Sequence, residues 1–245
     1  MQKKGKKPVS ASLDAVRHSL AHLLAAVVLK KFPTAKLGVG PTIENGFYYD
    51  FLLPRPIANE ELGQLEEEMR KLIRQNLRFR GRKVSAAEAK KLMRGQPFKL
   101  ELIRDFTKEK RQLSVYDIAT PDGGKVLFLD LCRGGHVHST QEIHPDAFRL
   151  TKTAGAYWKG SERNPQLQRI YGVAFATKRE LTAYLKLQEE LEKRDHRKLG
   201  ARLDLFSFHS VAPGAPFWHG NGMILFKELE AFIRSELDKA GYQEI

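Results

Sequence analysis

With 245 residues, the chain is long enough for one large domain or two ordinary ones, each able to bury its own core. Lys and Arg outnumber Asp and Glu by 42 to 29, a formal charge of +13 that favours a polyanionic partner, RNA or DNA first. A single cysteine excludes an intrachain disulfide and fits a reducing compartment, and no apolar run approaches the ~20 residues that cross a bilayer.

The start carries Lys3, Lys4, Lys6 and Lys7 with no apolar segment behind them, so no signal peptide is read and a soluble, cytoplasmic protein is expected. Residues 12–31 read as a helix of about five turns, with Ser12 as N-cap and Pro33 as the stop. Val16, Leu20, Leu23, Leu24 and Val27 form one apolar stripe. His18 and His22 stand one turn apart on the other side, which is itself mostly apolar, so both faces are expected to be covered.

Residues 36–53 read as strand, turn, strand. Asn45-Gly46 signals a two-residue type I′ hairpin, and Phe47, Tyr49 and Phe51 alternate with Tyr48 and Asp50 as a half-buried strand requires. Asn59 opens a charged helix with Leu62, Leu65, Met69, Leu72 and Ile73 facing inward. Residues 78–84 read as extended, and Ser85-Ala86-Ala87-Glu88 is a capping box for a short helix that stops near Gly95. Between residues 98 and 131 the pattern predicts further strands, broken by the turn Thr120-Pro121-Asp122-Gly123-Gly124. The last of them, residues 126–131, delivers Asp130 and Cys132 to a strand end, and Arg133-Gly134-Gly135 lets backbone approach a ligand without Cβ interference. Cys132 with His18, His22 and His136 can converge as a tetrahedral metal set or line a hydrolytic pocket without metal, and spacing leaves both open.

Thr177-Lys178-Arg179-Glu180 is a second capping box. It begins a long polar helix, read as a strut between domains, with Gly200 as its stop. A Gly-Pro loop at 212–216 leads into an amphipathic helix over about 223–240 that carries Ile224, Leu225, Leu229, Phe232, Ile233 and Leu237. Gly241-Tyr242 then reads as the first residues of a strand that breaks off, which is taken as truncation.

Taken in order, these stretches resemble the bacterial threonyl-tRNA synthetase family over nearly the whole chain. His18-x-x-x-His22, Gly40-Pro41, Asn45-Gly46-Phe47-Tyr48-Tyr49-Asp50 and Asp130-x-Cys132-Arg133-Gly134-x-His136 resemble its editing domain. Lys152-Thr153-Ala154-Gly155-Ala156-Tyr157-Trp158, Gln168-Arg169-Ile170-Tyr171-Gly172 and Arg194-Asp195-His196-Arg197-Lys198-Leu199-Gly200 are similar to the end of that domain and its linker helix, and Phe217-Trp218-His219 to the first class II motif. The resemblance implies an α+β fold of helices packed on an antiparallel sheet. It divides the chain into a basic tail (1–12), the editing or second additional domain (13–176), a linker helix (177–199) and a truncated start of the class II catalytic domain (200–245).

The activity so implied is hydrolysis of serine wrongly attached to threonine tRNA, with ligation of threonine expected of the full-length enzyme alone. By the same resemblance His18, Lys99, Asp130 and His136 are the catalytic candidates. Lys99 and His18 would position or deprotonate the water, Asp130 would hold the seryl group, and His136 would hold the terminal adenosine and ester. His22, Tyr49 and Cys132 would line the substrate pocket. No cofactor is required for editing, whereas ATP, magnesium and zinc belong to the catalytic domain. The implied partner is serine-charged tRNA(Thr), with no membrane, and a homodimer is expected of the full-length enzyme. Two alternatives stand beside this: a zinc-dependent hydrolase of the alanyl editing type using His18, His22, Cys132 and His136, and a non-catalytic tRNA-binding module. Three departures are noted: the small domain usual before the editing domain is absent, the chain ends before the proline of motif 1, and Gly135 stands where the family usually has proline, which is expected to loosen the presentation of His136.

Overall fold

The computed structural model describes residues 11–243. The basic tail lies outside the described residues apart from its last two, as do the final two residues of the strand read at the C-terminal end. The described chain is built of helices and antiparallel sheets and divides into two compact units between Thr182 and Ala183.

The first unit is arranged around α1 (Leu13–Lys31). Ser12 caps it by accepting from the Ala15 amide (3.2 Å), and Lys30 and Lys31 sit in the last turn, where cations oppose the helix dipole. After it come β1 (Lys36–Leu37), β2 (Thr42–Ile43), β3 (Gly46–Leu52), α2 (Leu62–Ile73), β4 (Arg78–Val84), α3 (Ala86–Leu92), α4 (Pro97–Lys108), β5 (Leu113–Ala119), β6 (Val126–Leu131), β7 (Phe148–Tyr157) and β8 (Gln166–Ala174). One sheet has the order β1-β3-β8-β7 with β2 added to β3, and a second is the meander β4-β5-β6. The main core joins Leu20, Leu23, Leu24 and Val28 of α1 to Phe47, Phe51 and Ile170 of the first sheet and to Phe79, Ile118 and Phe128 of the second. A helix packed from both sides must be apolar nearly all round, which is what the sequence of α1 carries. On the other face of the second sheet, Val84, Leu113 and Val115 pack against Ala89 of α3, Met93 just after it and Ile103 of α4.

Two readings of the sequence are corrected here. Residues 97–108 are a helix, not a strand. Pro97 takes the first turn, where its missing N–H costs nothing, and Phe98, Leu102, Ile103 and Phe106 recur at helical spacing. The hairpin between β2 and β3 exists, but Ile43 pairs with Gly46, so Glu44 and Asn45 form its loop and neither Asn45 nor Gly46 adopts positive φ. Gly46 is needed for a different reason: a Cβ there would lie 2.0 Å from the Gly172 carbonyl oxygen on β8. Gly46→Ala is therefore expected to destabilise the unit by ~3 kcal/mol in urea unfolding. Gly63→Ala on α2, where a Cβ meets nothing within 4 Å, should instead stabilise by ~0.5–1 kcal/mol.

Beyond β8, the long helix expected over 177–199 is two: α5 (Lys178–Lys193) and α6 (His196–Arg202). The Asp195 carboxylate turns to accept from the Arg197 amide (2.8 Å), capping a new helix and ending the old one. Gly200 lies inside α6 against the ring of Phe206, so it is a packing glycine, not a stop. The second unit continues with β9 (Phe206–Phe208) paired to β10 (Pro216–Trp218), and then α7 (Gly220–Lys239). His219, the N-cap of α7, is held between Asp204 Oδ1 (2.6 Å) and Ser207 Oγ (2.9 Å), which fixes the entry into the helix. Ile224, Leu229 and Phe232 of α7 are exposed. No helix among the described residues is long and apolar enough to cross a membrane.

Candidate functional site

α1 offers His18 and His22 on one side, one turn apart, with ring centroids 5.1 Å from each other. β6 ends facing them. Asp130 is its penultimate residue, and the Cys132 amide continues the ladder to the Ser114 carbonyl (3.1 Å). The chain then turns through Gly134 (φ +101°) and Gly135 (φ +86°), conformations open to glycine and closed to the fixed φ of proline. Gly135 is thus what this loop path requires, and the loop brings His136 back beneath Cys132. Cys132 Sγ lies 3.4 Å from His18 Nε2 and 3.2 Å from His136 Nε2. The His136 ring stacks on His18 (4.1 Å) and on Phe79 (5.2 Å), while its Nδ1 is 3.3 Å from the Ser19 hydroxyl.

Lys99 enters from the first turn of α4 and is buried, as is Asp130; the sequence alone allowed a solvated lysine. Its Nζ donates to Asp130 Oδ1 (2.7 Å) with both side chains 2 % exposed. The Leu131 amide donates to the same oxygen (2.8 Å), and the Tyr49 hydroxyl donates to Oδ2 (2.5 Å). Three donors, one of them cationic, thus satisfy this buried carboxylate. Burial, with Asp130 alongside, pushes the Tyr49 phenol well above its ordinary value, so it stays a donor.

A cavity of about 460 Å³ runs down to these groups. His18, His22, Lys99, Asp130 and Cys132 line it, together with the Val39-Gly40-Pro41-Thr42 turn and, toward the mouth, Phe106, Arg111 and Arg133. Tyr49 and His136 do not line it; they brace Asp130 and Cys132 from behind. Desolvation lowers the pKa of His18, His22 and His136, and the neighbouring imidazoles lower His22 and His136 further. All three rings are therefore neutral at pH 7, able to accept a proton or to ligate a metal. With His22 uncharged and its Nε2 3.9 Å from Asp130 Oδ2, that pair is not an ion pair. Burial pushes the Cys132 thiol up to about 11, which leaves it protonated and unfit as a nucleophile.

The same four side chains, His18, His22, Cys132 and His136, have their donor atoms within 4.8 Å of one another. His22 Nδ1 is buried without a hydrogen-bond partner among the described residues. Residue types alone brought the four together, but Ser19 and Arg111 lie outside the sequence reading, and Arg133 enters it only as a residue of the loop and motif after β6, with no role for its side chain. Only the position of Ser19 beside His18 and of Arg133 beside Cys132 hinted at them.

Residues 113–171, from β5 into β8, match the model of the threonyl and alanyl tRNA synthetase second additional domain. Asp130, Cys132 and His136 fall within that stretch, whereas His18, His22, Tyr49 and Lys99 lie outside it. Over 237 residues, 96 % of the chain, the sequence is 48 % identical to a threonine–tRNA ligase of Dehalococcoides mccartyi. It is 44 % identical to that of Treponema pallidum over 96 % of the chain and 47 % identical to that of Acetivibrio thermocellus over 95 %. Along nearly its whole length the chain is similar to threonyl-tRNA synthetases. It spans 39 %, 38 % and 35 % of the lengths of these three threonine–tRNA ligases. The paired carboxylate and lysine, the neutral imidazoles and the buried thiol are the candidate chemical groups of this region.

Proposed function

We propose that this cavity is a proofreading site that hydrolyses the ester between serine and the terminal ribose of threonine tRNA. The observation that carries this reading is the buried Lys99–Asp130 pair set in one cavity with the neutral imidazole of His18. A site for threonine cannot reject serine strongly by binding alone, because the methyl that distinguishes them is worth only ~1–3 kcal/mol; a second, hydrolytic pocket completes the discrimination.

In the proposed reaction, water attacks the ester carbonyl carbon and its proton passes to His18. The Lys99 ammonium stabilises the oxyanion, and Asp130 orients the substrate's amino or hydroxyl group. Collapse of the oxyanion breaks the bond to the ribose oxygen, which takes the proton back from His18 and leaves as the tRNA hydroxyl. Cys132 and His136 hold the His18 ring, and His22 closes the wall; nothing in this sequence needs a thiolate.

A second reading rests on the four clustered donors and the orphaned His22 Nδ1. His18, His22, Cys132 and His136 fit zinc by type, and bound zinc would supply Lewis-acid activation of water. It would have to displace the Cys132 proton, so its affinity would rise with pH. Deacylation of serine-charged and threonine-charged threonine tRNA, with and without chelator, decides between the two. Loss of serine alone, unchanged by chelator, is expected. Chelator-sensitive loss would favour the zinc reading, and bound but intact seryl-tRNA would leave only an RNA-binding module. Threonine ligation, with its ATP, magnesium and zinc, is proposed for the full-length enzyme. A dimer is proposed on the exposed apolar side of α7.

A further inference from the structure

The mouth of the cavity carries a feature that the hydrolytic chemistry does not use. Phe106, near the end of α4, has two guanidinium groups against its ring: Arg111 at 5.5 Å and Arg133 at 5.2 Å from the centroid. Both arginines line the same cavity as Lys99 and Asp130, but Arg111 is 48 % exposed, whereas the floor groups are 2 % exposed. They stand on different segments, Arg111 in the turn after α4 and Arg133 in the loop after β6. Arg133 has no carboxylate partner among the described residues, and Arg111 meets only Glu109 (2.5 Å) in an exposed pair that a stronger anion displaces easily.

We propose that Arg111 and Arg133, stacked on Phe106, hold the backbone phosphate next to the terminal nucleoside of the RNA strand whose 3′ end enters the cavity. The inference rests on the proofreading reading for which end of the RNA enters. The amino acid must reach the floor, where the carboxylate and the ammonium are. The ribose then occupies the shaft, and the first phosphodiester falls at the mouth. Guanidinium forks match phosphate oxygens in a bidentate fashion, and stacking on an aromatic ring fixes the fork beforehand, so little freedom is lost on binding.

The test uses the whole chain and two probes, the RNA trinucleotide CCA and adenosine, which has no phosphate. Arg111→Ala and Arg133→Ala are each expected to weaken CCA binding about tenfold and to flatten its salt dependence, by about 0.7 in the log–log slope when both are changed, the share of one phosphate contact to single-stranded RNA. The effect on adenosine should be several-fold smaller. Arg133→Lys keeps the charge, and should retain the slope while losing part of the affinity. Unchanged CCA affinity and slope in both alanine variants would overturn the proposal, as would an equal loss for adenosine. Neither readout requires hydrolysis. A chain that binds CCA through both arginines yet leaves seryl-tRNA intact would refute the proofreading reading alone.

Discussion

Lys99→Met should abolish seryl-ester hydrolysis and lower the stability of the fold by ~3–5 kcal/mol in urea unfolding, the cost of leaving a buried carboxylate without its counter-charge. Asp130 keeps the Tyr49 hydroxyl and the Leu131 amide, which places the loss toward the lower end of that range. Methionine fills the space of the lysine stem, so a cavity contributes little. The double variant Lys99→Met, Asp130→Asn removes both charges and should regain most of the stability while remaining inactive. That separation of stability from activity distinguishes a working pair from a structural one. A single-variant loss below ~1 kcal/mol would show that the ammonium is not packed on the carboxylate, and full hydrolysis would remove Lys99 from the chemistry.

How much of this was legible in the sequence varies with the range of the interaction. α1 was read with its cap, its length and its two covered faces, because every cause is local: Ser12, the apolar stripe, and a second face rich in alanine and leucine. β6 was read to its bounds, since its turn and the glycines after it mark both ends. The burial of Lys99 was not legible. Lysine is almost never buried unless paired, and the partner that offsets its desolvation stands on β6, far along the chain from α4, where no local pattern reveals it. The pattern over α4 reads as strand because charged residues interrupt its apolar spacing, and a proline opens a strand as readily as it opens a helix. At Gly46 the sequence signalled the right hairpin by the wrong mechanism. A glycine demanded by the approach of β8 looks the same as one demanded by a turn. The break at Asp195 was missed because its carboxylate suits a helix surface and a cap equally well.

The convergence of three histidines and one cysteine was expected from residue type, yet their division of labour needed the fold. His18 faces the cavity, whereas His136 is stacked behind Cys132 and cannot reach a nucleoside at the mouth without moving. Its assignment to the terminal adenosine therefore finds no support in the geometry. The cluster reads more coherently as a stack in which His136 and Cys132 fix the ring of His18.

His18→Ala should then lower the rate of seryl-tRNA hydrolysis by ~10²–10⁴-fold, the usual contribution of a positioned base, with substrate binding much less affected. The pH dependence carries the sharper sign. A base must be unprotonated, and burial lowers the pKa of His18 from its ordinary 6.5. The rate should therefore rise with pH along a limb centred below 6.5 and stay level through neutrality. An exposed histidine would still be gaining activity there. The alanine variant should lose that limb together with the rate. A wild-type limb centred above 6.5 would assign the proton to another group. A limb that survives in the alanine variant would leave His18 as a wall residue, with water activated elsewhere in the cavity.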